Sequence, residues 1–169
     1  MWDNRTFEYK NSREFLRILI NRAYLSFGIP LLLFGWLYLE STAHNLKPLV
    51  PVEMVNTVSW LILVVMVFFI AVGYQRSSAM IKRARAEVTL IKKLSAYRDA
   101  LTLRFIYFSV AALSVGLGLY LTANELISVL FAGVIVIFSI NNPTLQGIAK
   151  DLRLKGEEKD MILKVKKFK

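Results

Sequence analysis

Cysteine is absent from this 169-residue chain, which excludes disulfides, thiolate nucleophiles, Cys-ligated zinc and iron–sulfur clusters. Histidine occurs once, as His44, so haem held by histidine from within apolar helices is excluded as well. Proline is scarce and glycine modest, four and eight residues respectively. Lys, Arg and His are missing from four long apolar stretches. A catalytic centre needs several titratable groups gathered in one place, and the sequence offers no such constellation. His44 with Glu40 and Glu53 is the nearest approach to a metal set, and a lone loop histidine is ordinarily just solvated. No catalytic, cofactor-binding or metal-binding residue is therefore assigned, and no enzymatic activity is expected.

What the chain does have is apolar residues in long runs and positive charge in blocks. Hydrophobic residues make up 56% and mean hydropathy is +0.48, values that suit a bilayer better than water. Net charge is +10, and 21 of the 22 Lys and Arg residues fall in residues 1–22, 75–104 and 141–169. Basic blocks separated by membrane-length apolar runs serve orientation and attraction to anionic lipid. With no nucleic-acid reader motif in the chain, they argue against nucleic acid as the partner.

A hydrocarbon core of about 30 Å takes roughly 20 helical residues. Four segments approach that length, from Ala23 to Leu39, Val55 to Tyr74, Phe105 to Thr122 and Asn124 to Ile140. The fourth is the weakest, because its strictly apolar part begins only at Leu126. The expected fold class is all-α: a polytopic membrane protein with four transmembrane helices in two hairpins and amphipathic cytoplasmic helices. Its parts are an N-terminal segment 1–22, a membrane domain 23–140 containing the basic loop 75–104, and a basic tail 141–169. The three blocks hold five, eight and eight basic residues, against one, Lys47, in the loops of the other side. The positive-inside rule then predicts cytoplasmic termini and an integral location in a cytoplasmic (inner) membrane. The charged first 22 residues argue against a cleaved signal peptide. On the cytoplasmic side the Asn4-Arg5-Thr6 sequon carries no meaning.

Local signals refine the cytoplasmic parts. Asn11 followed by Glu14 predicts a helix N-terminus, with Trp2, Phe7 and Tyr9 expected at headgroup depth. Residues 75–104 contain neither Gly nor Pro and read as helix, reversing direction near Gln75–Ser78 or Ser95–Asp99, where the residues are most polar. Ile81, Ala84, Val88 and Ile91 form one apolar stripe at spacings of three and four. Lys82, Arg83, Arg85, Lys92 and Lys93 lie largely off it and are the expected contacts with anionic lipid. The tail predicts two short helices meeting near Gly156.

Within the spans, Ala112 with Gly116 and Ser114 with Gly118 form two small-xxx-small pairs, the pattern that lets helices approach closely in lipid. They are the expected helix-packing residues, against the fourth span with its Ala132 and Gly133, or else across a homo-oligomer. The function these features suggest is a non-enzymatic interaction or assembly subunit that anchors a protein partner at the cytoplasmic face, with anionic lipid as a second partner. A small oligomeric channel or transport component is the alternative.

Overall fold

The computed structural model describes residues 11–165. The Trp2, Phe7 and Tyr9 expectation, the sequon and the last four residues lie outside that range. Among the described residues every regular element is helical: α1 Ser12–Thr42, α2 Val52–Ala84, α3 Leu90–Thr122, α4 Leu126–Ile140, α5 Leu145–Asp151 and α6 Gly156–Leu163.

From Ser12 onward, the N-terminal amphipathic segment and the first apolar stretch are one uninterrupted helix. Asn11 caps it, its side chain accepting the Glu14 N–H at 2.9 Å. Phe15, Leu19, Ala23, Phe27, Pro30 and Phe34 are buried. Their steps of four and three keep them on one face, so a single buried stripe runs from the basic end into the apolar part. α2 follows the same rule with Ile62, Met66, Ile70, Gly73, Ser77, Ile81 and Ala84.

The reversal between α2 and α3 falls at Arg85–Thr89, not at either polar site expected. Ser77, in the first of those sites, is fully buried and stays helical. Thr89 is the N-cap of α3, its hydroxyl accepting the Lys92 N–H weakly at 3.4 Å. The turn divides the apolar stripe read as continuous: Ile81 and Ala84 are buried on α2, whereas Val88 is 90% exposed in the turn and Ile91 faces outward on α3. A single amphipathic helix lying on the membrane is therefore replaced by two helices that run on past their apolar stretches and back onto each other.

α3 is the centre of the bundle and packs along α2, α1 and α4. The two-hairpin scheme paired the first and second spans. Here α1 and α2, though consecutive, each pack chiefly on α3. Backbone approach is closest between α2 and α3, where a Cβ on Gly73 would come within 2.7 Å of the Tyr107 Cβ. α1 and α4 are joined by stacked rings, Phe34 on Phe131 at 3.7 Å and Phe27 on Phe138 at 4.3 Å between centroids.

Three helices, α1, α2 and α3, are long and apolar enough to cross a membrane. α4 has 15 residues, about 22 Å at 1.5 Å per residue, and joins α5 through a 79° bend. Counting that bent pair as one span brings the number to four. The bend follows the Asn141-Asn142-Pro143-Thr144 stretch, and Thr144 caps α5 by accepting the Gly147 N–H at 3.0 Å.

Candidate site at the membrane boundary

At the basic end the apolar stretches all stop at one level. Ala23 follows Arg22 on α1, Tyr74 precedes Gln75 on α2, Phe105 follows Arg104 on α3, and Ile140 precedes Asn141 after α4. Polar side chains from these positions meet between the helices. Arg104 Nε donates to the Ser77 hydroxyl at 2.8 Å, and its Nη1 to Asn141 Oδ1 at 3.4 Å. The guanidinium carbon stands 5.0 Å from the centroid of the Tyr74 ring, within cation–π range. Asn141 in turn donates to the Tyr74 hydroxyl and to the Ile137 carbonyl. One charged side chain thus ties α2, α3 and the end of α4 together.

A second polar layer lies further out. Tyr97, two turns before the apolar part of α3, donates its hydroxyl to Asp151 Oδ2 at 2.9 Å. Burial above all, then the Asp151 carboxylate charge and its hydrogen bond, pushes the Tyr97 phenol well above the usual tyrosine range. It is a fixed donor at every physiological pH. Arg85 Nε donates to the Asp151 carbonyl at 2.6 Å, Lys93 pairs with Glu158 at 2.8 Å, and the Ser12 hydroxyl donates to the Ile162 carbonyl at 2.8 Å. Together with buried Ile148, Leu152, Leu154 and Ile162, these contacts dock α5 and α6 against the outer parts of α1, α2 and α3.

The five basic residues expected to form one lipid-facing set are distributed over two helices and the turn between them. Lys82 and Arg83 are exposed in the last turn of α2, and Lys92 is exposed on α3. Arg85 and Lys93 are half-buried and turned to the tail. The small residues of α3 also divide. Ala112, Gly116 and Gly118 are buried, but the atoms nearest the two glycines are not on α4. Gly116 faces Phe34 and Leu37 of α1, and Gly118 faces Ile62 of α2, where a Cβ would come within 3.0 Å. Ser114 is half-buried and donates to its own helix at Ala111. Gly133 of α4 has open space beside it. The Ser109 hydroxyl also reaches across between helices, donating to the Ser26 carbonyl on α1 at 2.6 Å.

The opposite end is less elaborate. The loop after α1 is strapped to α3 by the Leu49 and Val50 N–H groups, which both donate to the Leu121 carbonyl. His44 Nδ1 lies 2.9 Å from the Thr42 carbonyl, and Glu40 accepts from Asn45.

The Arg104 cluster was not anticipated from sequence. Its signal was present: a lone arginine, a tyrosine and an asparagine each stand directly at the end of an apolar run. Compared with known protein families, curated proteins and solved structures, the chain has no match.

Proposed function

We propose that this chain is a four-span integral membrane subunit that anchors a protein partner at the cytoplasmic face of the membrane, without chemistry of its own. In this reading α4 with its bend is the fourth span, and both termini and the α2–α3 turn are cytoplasmic. The observation that carries it is the docked module of α5 and α6. Arg85, Lys93, Tyr97 and Ser12 hold that module on helices that run continuously out of the apolar layer, producing a rigid basic platform rather than a loose tail. Rigid elements present a surface to a partner at lower entropic cost than flexible ones do. Exposed Lys82, Arg83 and Lys92 around the platform add attraction to anionic headgroups, about 1 kcal/mol for each charge near the surface.

The test is crosslinking and copurification from native membranes. A partner retained by the wild type and released by Lys93→Glu with Tyr97→Phe, in which hydrogen exchange shows α5 and α6 loosened, supports the assembly role. Retention by that variant removes the platform from the argument. Ion leak from liposomes containing the purified chain, above that of empty liposomes, would favour a pore instead.

A further inference from the structure

We propose that Arg104 is the centre of a binding site for the phosphodiester of an anionic lipid, entered from the side of the bundle at the basic membrane boundary. The proposal rests on the membrane-anchored reading above and names one lipid contact within it.

Depth comes first. Arg104 immediately precedes the apolar part of α3, Tyr74 closes that of α2, and Asn141 follows α4. The guanidinium therefore lies where hydrocarbon gives way to headgroups, which is where lipid phosphates are. Its direct partners are neutral: the Ser77 hydroxyl, the Asn141 amide oxygen and the Tyr74 ring. Among the described residues no carboxylate lies within ion-pair distance of it. The Asp151 carboxylate, hydrogen-bonded to Tyr97 in the adjoining layer, is still a negative charge but makes no ion pair with Arg104. A half-buried guanidinium without a counter-ion is costly at a membrane boundary, and a phosphate would remove that cost.

Orientation comes second. The Nε bond to Ser77 fixes the plane of the guanidinium, and Tyr74 supports its face. The Nη1 contact with Asn141, at 3.4 Å, is at the outer limit of a hydrogen bond. Nη2 donates to no described residue. Nor is it walled in, since the buried side-chain polar atoms without a partner among the described residues are Ser128 Oγ and Asn142 Oδ1. The Nη1–Nη2 edge is thus held open in the geometry that takes two phosphate oxygens at once. Arg22 and the exposed Arg76 stand at the corresponding ends of the α1 and α2 apolar stretches and add the same sign of potential.

The experiment uses the full-length protein in a neutral detergent, with thermal unfolding followed as lipid is added. Phosphatidylglycerol should raise the Tm of the wild type clearly more than phosphatidylcholine does. That difference should fall to less than half in Arg104→Gln. The same loss should appear in Ser77→Ala, which keeps the charge but frees the guanidinium, so the test survives if Arg104→Gln fails to fold. Lys47→Gln, exposed in the loop at the opposite end, should retain the difference. An equal rise with inorganic phosphate would overturn a lipid as the occupant. A phosphatidylglycerol effect unchanged in both Arg104→Gln and Ser77→Ala would overturn the site while leaving general basic attraction intact. No preference for phosphatidylglycerol even in the wild type would overturn the lipid part of the anchoring reading together with the site.

Discussion

A hydrogen atom is all that residue 73 can place against Tyr107. A methyl group there would overlap the Tyr107 Cβ at 2.7 Å, and this neighbour is fixed to backbone, so the helices themselves would have to part. Gly73→Ala should destabilise the protein by about 1–3 kcal/mol, and Gly118→Ala, whose nearest atoms are Ile62 side-chain carbons at 3.0 Å rather than 2.7 Å, by less. Gly116→Ala, with its nearest contacts at 4.0 Å, should be neutral or stabilising by up to about 1 kcal/mol. Unfolding in mixed micelles checks the order, and equal losses at Gly73 and Gly116 would refute it. Tyr97 gives a pH-dependent counterpart. Its phenol is held protonated in the folded state, so the stability this provides is complete below the ordinary tyrosine pKa of about 10 and declines as pH rises beyond it. Tyr97→Phe should be less stable than the wild type at neutral pH, and the gap between the two should narrow in alkali. A gap that stays constant to high pH would mean the hydroxyl contributes nothing through its proton. The partners of these residues were hard to read in sequence. Arg104 and Asn141 are 37 residues apart, and what brings them together is the packing of α3 on α4.

Helix ends show why some local structure was legible and some was not. The Asn11 cap was visible because side chain and target N–H are three residues apart, and the Gly156 break because that residue has a φ of +54°, which glycine adopts without strain. The α2–α3 turn contains neither Gly nor Pro, and its local signal is the weak capping hydroxyl of Thr89. The polar segments expected to turn stay helical because tertiary partners satisfy them, Ser77 through Arg104 among them. Thr89→Ala should cost at most about 1 kcal/mol, the 3.4 Å cap being weak, and raise amide hydrogen exchange at the start of α3. The Lys93–Glu158 pair is partly screened, and such pairs contribute roughly 0–1 kcal/mol. Lys93→Glu should nonetheless speed exchange in α6 through like-charge repulsion, and adding Glu158→Lys should restore it. Unchanged α6 protection in the single variant would mean that apolar contacts alone hold the module.

At the scale of the whole molecule, the long apolar helices could be counted from length and composition, whereas their neighbours could not. Apolar faces look alike in sequence whether they meet lipid or another helix, so the central position of α3 emerged only with the close approaches at Gly73 and Gly118. The proposed orientation is open to single-cysteine labelling, clean here because the chain has no cysteine. An impermeant maleimide applied to intact cells should reach Lys47→Cys and spare Lys82→Cys and Lys159→Cys, all three at exposed positions. The opposite pattern would reverse the topology. α4 carries one further consequence. Its roughly 22 Å fall short of a hydrocarbon layer of about 30 Å, and the ring stacks at Phe34 and Phe27 bind it to α1, so it cannot adjust by sliding. Leu126, Val129, Val136 and Ile140 are exposed along it. Wherever those side chains meet lipid, the bilayer must come to the helix. In the four-span reading proposed above, such a mismatch costs fractions of a kcal/mol per Å and would make the protein a gauge of membrane thickness. It should be more stable in short-chain than in long-chain phosphatidylcholine, and between membranes of unequal thickness it should settle in the thinner.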